Sequence, residues 1–230
     1  MKKRSISQPQ VWKFKGVIPV IHPMAYVHPS AVIIGDVHVG ERCYIGPCVV
    51  LRGDNGPIRI LEGANIQDGC VVHGAPGNIT LIEKFGHIGH GAVLHGCQIG
   101  ENAFVGINSV VMDQAIIGQN AWVAAMSFVR EKFEVPPGML AMGAPAKVIK
   151  ELTDKQLSGK NKSTAGYLEL AAQAEGYSEL VSPLAYVNGI PESAIPLKRI
   201  QEFSLRVKRS WHRMRQGRKS STGHQEHETL

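Results

Sequence analysis

Residues Ile99–Val129 read IGENAFVGINSVVMDQAIIGQNAWVAAMSFV, and their branched aliphatics recur at every sixth position: Ile99, Val105, Val111, Ile117, Val123 and Val129. A small residue follows each of the first five by four, as Ala103, Ser109, Ala115, Ala121 and Ser127, and a glycine often stands directly after the aliphatic, as Gly100, Gly106 and Gly118. Period six fits neither a 3.6-residue helix nor the alternation of a simple strand. It suits a coil with short flat faces and tight corners, each face turning its aliphatic inward. The glycines are expected to supply backbone angles that other residues resist, and the small residues to fit a cramped interior. Upstream the same rhythm runs through Val27, Ile33, Val39, Ile45 and Leu51, then Ile60, Ile66 and Val72, then Ile82, Ile88 and Leu94. Three steps break it: Leu51 to Ile60 is nine, Val72 to Ile82 is ten, and Leu94 to Ile99 is five. Extra residues in a solenoid leave as loops, here around Gly53–Pro57 and Ala75–Asn78, and such loops often frame a site.

The repeat resembles that of the hexapeptide left-handed parallel β-helix, in which three hexapeptides make one triangular coil of about eighteen residues. The resemblance also supplies the hand, because general topology rules favour right-handed crossovers. The expected fold class is an all-β left-handed parallel β-helix with a C-terminal α-helical appendage. Residues 1–145 form the β-helix domain, 146–176 a helix packed along the prism, and 177–230 a linker, a basic amphipathic helix and a disordered tail. Within the second segment, Ala146–Leu157 and Ser163–Glu175 read as helix, broken around Ser158–Lys162. In the third, Ile200, Phe203, Val207, Trp211 and Met214 lie at helical spacing opposite basic residues.

Composition narrows the function. No apolar run approaches the ~18 residues of a membrane span. The four cysteines, Cys43, Cys48, Cys70 and Cys97, show no CxxC spacing, so neither a disulfide framework nor a thiolate zinc site is indicated, and a reducing cytoplasm is the expected location. The formal charge of +6 belongs to Lys198–Lys219, with nine basic residues and one acid, which leaves 16 basic against 18 acidic residues elsewhere. Charge therefore gives the body of the protein no nucleic-acid function. The C-terminal helix is expected to pack on its own trimer with its charges solvated; the alternative is that its basic face meets an anionic membrane, nucleic acid or an acidic partner.

The histidines carry the chemistry. His73 follows Val72 and His95 follows Leu94, so both occupy the same step of the repeat. Their separation is 22 residues, and removing the four that lengthen the Val72–Ile82 step leaves eighteen, one coil. Their backbones should stack about 4.8 Å apart, a spacing that suits two ligands of one metal. His90, two residues after Ile88, falls on a neighbouring face or corner. It could meet such a pair across a threefold axis, on a second subunit. Three imidazoles with an open fourth position make a catalytic zinc arrangement.

The stretches LRGD at Leu51–Asp54, ANIQDGCVVH at Ala64–His73 and GHIGHGAVLHGC at Gly86–Cys97 resemble the γ-class carbonic anhydrase family. Over about residues 12–170 the chain looks nearest to the PaaY (phenylacetic acid degradation) and CaiE (carnitine operon) branches. The resemblance implies a homotrimer with zinc at each subunit interface, held by His73, His90 and His95. It implies that Gln67 orients the metal-bound water, that Arg52, Asp54 and Asp68 form interface salt bridges, and that Tyr167 leans over the metal. Iron(II) or cobalt(II) fits the same ligands. His87 lacks the matching register and reads as a turn residue or a support behind the ligands. The expected function is a zinc-hydroxide enzyme for the reversible hydration of carbon dioxide to bicarbonate. The alternatives are a zinc-dependent acyl-CoA thioesterase in phenylacetate degradation, an accessory protein of carnitine and CoA metabolism, and, against the triple-histidine register, a hexapeptide acyltransferase with a single histidine base. Family members with a dedicated proton shuttle carry glutamate after the position matching Asp54, and Asn55 stands there in this chain. Hydration is then expected to depend on external buffer.

Overall fold

The computed structural model describes residues 8–177 and 180–181. Each flat segment pairs in parallel with the segment one coil later, and the chain winds as a left-handed parallel β-helix. The first face carries Val71–His73, Val93–His95, Val110–Val111 and Phe128–Val129; the second carries Thr80–Ile82, Gln98–Ile99, Ile116–Ile117 and Glu134–Val135. The third carries Tyr26–Val27, Tyr44–Ile45, Asn65–Ile66, His87–Ile88, Phe104–Val105, Trp122–Val123 and Met139–Gly143. Two longer strands, Val32–Val39 and Val50–Ile60, turn a corner and contribute to both the first and second faces.

The sixfold aliphatics fill the axis. Ile33, Leu51, Val72, Leu94, Val111 and Val129 stack without solvent exposure inside the first face, and Ile45, Ile66, Ile88, Val105 and Val123 do so inside the third. Burial of each such side chain contributes about 1.5–3 kcal/mol.

The glycines after the aliphatics serve a different purpose from the one the repeat suggests. Gly40, Gly46, Gly89, Gly100, Gly106 and Gly118 do not adopt positive φ; several corners instead place Arg42, Asn102, Asn108 and Asn120 there, at φ 54–57°. What these glycines provide is room. A Cβ on Gly106 would stand 2.4 Å from the nitrogen of Ala125 on the next coil, and one on Gly118 would stand 2.6 Å from that of Pro137.

The two long steps, Leu51 to Ile60 and Val72 to Ile82, widen the first-to-second corner, while the short step from Leu94 to Ile99 tightens it. Asp54–Pro57 are extruded within the long strand Val50–Ile60, where Gly53 still pairs with Gly35 and Ile58 already pairs with Val37. Residues 74–79 leave the ladder between His73 and Thr80.

Past the prism the structure departs from the expected helix in two places. Ala146–Glu151 is a strand that folds back antiparallel on Met139–Gly143. One unbroken helix, α1, then spans Asp154–Tyr177. Its start is set by a capping box. The Gln156 amide donates to Thr153 Oγ1 at 3.3 Å, and the Thr153 amide donates to Gln156 Oε1 at 3.1 Å, so helix cannot extend back through Ala146. Around Ser158–Lys162 packing overrides weak propensity. Gly159 is tolerated because Lys160, Thr164, Ala171 and Ala174 form a buried stripe against the third face. The C-terminal linker, amphipathic helix and tail expected over 182–230 lie outside the described residues.

Lys160 is the unusual member of that stripe. It is 5% exposed, its Nζ donates to the Phe85 carbonyl at 2.8 Å and to Asn102 Oδ1, and burial pushes its pKa down to about 7. An unfolded lysine titrates near ~10.4. Between those values the unfolded chain holds a proton that the folded chain does not, so this residue makes stability rise with pH across that window. Burial pushes the thiols of Cys43, Cys70 and Cys97 up, which opposes the rise but is common to wild type and variant. In thermal melts near pH ~7 and ~9.5, the Lys160→Met protein should gain less, or lose more, on going to high pH than wild type does. Identical shifts in both proteins would count against a neutral buried amine.

Candidate metal centre

The parallel register places Arg52, His73 and His95 on successive rungs at the far edge of the first face, each directly paired with the next. The two imidazoles lie 5.0 Å apart between centroids, at 67°. His95 Nδ1 is 2.9 Å from both carboxylate oxygens of Asp113. Asp113 lies one coil beyond His95, and its approach depends on Gly96, where a Cβ would stand 2.4 Å from Asp113 Oδ1. A carboxylate that accepts from Nδ1 leaves Nε2 with its lone pair, as metal-binding histidines require. The motifs did not point to Asp113, although adding eighteen to 95 would have found it.

His73 is held differently. Its Nδ1 faces the Arg52 guanidinium at 3.3 Å and its Nε2 faces Asp54 Oδ1 at 3.1 Å. Arginine only donates, so Nδ1 accepts and the neutral ring carries its proton on Nε2. Burial, then the charge on Arg52, lowers the His73 pKa, which keeps the ring in the neutral state that a metal requires. Arg52 also bonds Asp54 at 3.2 Å, closing a triangle of arginine, carboxylate and imidazole. The pair of Arg52 and Asp54 expected beside the site is therefore formed within one chain.

The opposite edge of the first face carries the other candidates. His90 sits at the corner with the third face, where Nδ1 is 3.1 Å from Asp68 Oδ2. Next to Asp68, the Gln67 amide nitrogen Nε2 lies 3.1 Å from Asn65 Oδ1 and 2.6 Å from His87 Nε2. Asn65, Gln67 and His87 are all buried, and His87 meets Thr164 and Tyr167 of α1. His87 is thus a strand residue under the helix, not a turn residue, and it packs against Phe104 and Tyr167 at ring distances of 5.0 and 5.4 Å. Burial, then the charge on Lys160, holds its pKa down at about 3. Tyr167 also contacts the Tyr44 ring, and burial followed by the charge on Asp68 pushes its phenol up.

One chain therefore holds two separate groups of candidate residues, His73 with His95 at one edge and His90 with Asp68 at the other, with Gln67 and Tyr167 gathered around His87. Among the described residues no three His, Cys, Asp or Glu side chains of this chain come together as a ligand cluster. His95, with Nδ1 clamped by a carboxylate, presents a free Nε2 suited to zinc or a similar divalent ion, whereas His73, with Nδ1 accepting from Arg52 and its proton on Nε2 toward Asp54, has to give up one of those bonds before it can ligate. Between the two edges the first face exposes Val71 and Phe128, with Ile107 and Met126 exposed at the His90 corner and further along it.

The comparisons agree with this architecture. The family described as Bacterial transferase hexapeptide (six repeats) matches residues 18–53 and 96–131. The chain is 50% identical over 177 residues to the carnitine operon protein CaiE of Salmonella agona (strain SL483), covering 76% of this chain and 89% of the relative. It is 49% identical over 173 residues to CaiE of Escherichia coli (strain K12), covering 75% and 88%. A hexapeptide transferase family protein from Anaplasma phagocytophilum superposes with a TM-score of 0.69 at 38% identity, covering 74% of this chain and 98% of that one. A Bacillus cereus protein solved as a candidate acetyltransferase superposes with a TM-score of 0.74 at 34% identity, covering 75% and 100%. No helix among the described residues is long and apolar enough to cross a membrane. With half of its residues identical over most of both chains, and with the period-six prism in common, this chain belongs to the hexapeptide-repeat family that includes the carnitine operon protein CaiE.

Proposed function

We propose that the chain is a metal-dependent enzyme of the carbonic anhydrase type that hydrates carbon dioxide reversibly, with its sites completed between the subunits of a homotrimer. The observation that carries this reading is the division of the candidate ligands. His73 and His95 stand together with the lone pair of His95 Nε2 free, while His90 stands at the opposite edge of the same face. Edges that complement one another but cannot meet within a chain suit a closed ring of identical subunits. The exposed apolar residues between them suit the contact. His73 and His95 of one subunit with His90 of the next would hold zinc, and a metal on three imidazoles supplies a water that ionises near pH ~7. The chain's own groups then have distinct tasks. Gln67 orients the water, Asp113 holds His95, and Arg52 with Asp54 braces His73. Asn55 does not titrate near neutrality, so protons leave through external buffer.

A second reading draws on the kinship with CaiE and on Asn55, where the family implies a shuttle. A water activated in the same place could attack an acyl-CoA thioester, releasing the acid and the thiol, in support of carnitine or CoA metabolism. Zinc-reconstituted protein should hydrate carbon dioxide at a rate that rises with imidazole buffer and is lost in His73→Ala. Thioester cleavage without hydration, also lost in that variant, would replace the first reading by the second. Turnover indifferent to chelation would remove both and favour an acyltransferase.

A further inference from the structure

We propose that His87 is a positioning residue: it fixes the carboxamide of Gln67 so that the site presents an acceptor, Gln67 Oε1, to the molecule held there. The second part rests on the role given to Gln67 above. The orientation follows from who can donate. Asn65 Oδ1 only accepts, so the Gln67 atom 3.1 Å away is its amide nitrogen acting as donor. The same nitrogen is 2.6 Å from His87 Nε2, which must therefore accept. The ring proton then sits on Nδ1, facing the Thr164 hydroxyl at 3.4 Å on α1. Both amide hydrogens of Gln67 are consumed inside the protein. Among the described residues its Oε1 has no hydrogen-bond partner, and it is not among the sealed polar atoms.

An amide held in this way has a definite polarity. It can receive a hydrogen from a water and so aim that water's lone pair, but it offers no N–H to an oxyanion. The site is built to orient a nucleophile, and oxyanion stabilisation has to come from elsewhere. The helix contributes to the choice, since Thr164 and Tyr167 bring His87 its Nδ1 partner and its packing.

The test begins with the full chain, metal-free and ¹⁵N-labelled, with the His87 ring assigned by its loss in His87→Phe. Neutral imidazole with the proton on Nδ1 is expected from about pH 5.5 to 8, together with slow solvent exchange of the Gln67 side-chain amide. A proton on Nε2 would overturn the proposal. It would mean that both carboxamides are reversed, which would also give Asn65 Nδ2, sealed and without an acceptor, a partner in Gln67. This readout needs neither metal nor substrate, so its failure is separate from failure of the hydration reading. In reconstituted enzyme His87→Phe should lower kcat about tenfold or more at unchanged KM. His87→Gln, whose Oε1 can accept where Nε2 did, should recover most of the loss. Equal kcat in His87→Phe and wild type would likewise overturn it.

Discussion

The His90→Ala protein should keep its fold and bind almost no metal, although every chain still carries its His73–His95 pair. The His90 side chain is 45% exposed and takes no part in the core, so its loss leaves the prism intact. Its effect on the metal is large. Four-ligand zinc sites bind with about 10–16 kcal/mol, which assigns roughly 3 kcal/mol to each ligand, or about a hundredfold in affinity. Elemental analysis after dialysis against a weak chelator should fall from one ion per chain to a small fraction of that, with an unchanged thermal melt in the metal-free state. Full occupancy in the variant would end the shared-site reading, because two ligands of one chain would then suffice.

Gly74→Ala should damage stability and site together. A Cβ at Gly74 would stand 1.8 Å from the Gly56 carbonyl oxygen, and its amide donates to the Arg52 carbonyl at 3.1 Å, so neither strand can withdraw freely. The obstructing atom is backbone of the extruded Asp54–Pro57 segment, which must move outward and take Asp54 away from His73. Overpacking of this kind costs about 1–3 kcal/mol or more, and in a chain of this size that lowers the melting temperature by roughly 2–4 °C per kcal/mol. Circular dichroism melts and metal content measured on the same preparation should both fall. An unchanged melt would mean that the Gly56 segment yields without strain. Gly77→Ala is the control, since a Cβ there meets nothing within 4 Å, although its φ of +74° leaves some strain of its own.

How much of this was legible in the sequence depended on whether register could be counted. The prism was legible because every sixth residue faces the axis and only an aliphatic survives there. The stacking of His73 on His95 was legible because four inserted residues can be subtracted. Asp113 could have been found by the same count, but it lies in no family-like motif. The role of the glycines was misread because composition does not separate a need for positive φ from a need for space. The strand Ala146–Glu151 and the unbroken α1 depend on the Thr153–Gln156 box and on a buried stripe that tolerates Gly159. His87 was read as a turn residue or a support behind the ligands, and its burial was not foreseen, because periodicity along the prism cannot show that a helix arriving from far down the chain will cover the third face.

In the proposed homotrimer, dividing the site between two edges would also have a genetic consequence. A chain without His73 and a chain without His90 should each be inactive alone. Any mixed ring of three nevertheless contains one junction where an intact pair meets an intact His90. Two null alleles of opposite edges would therefore complement each other in a single cell, whereas two null alleles of the same edge would not. A lone defective chain among wild-type partners would silence one site of its ring and leave the other two working.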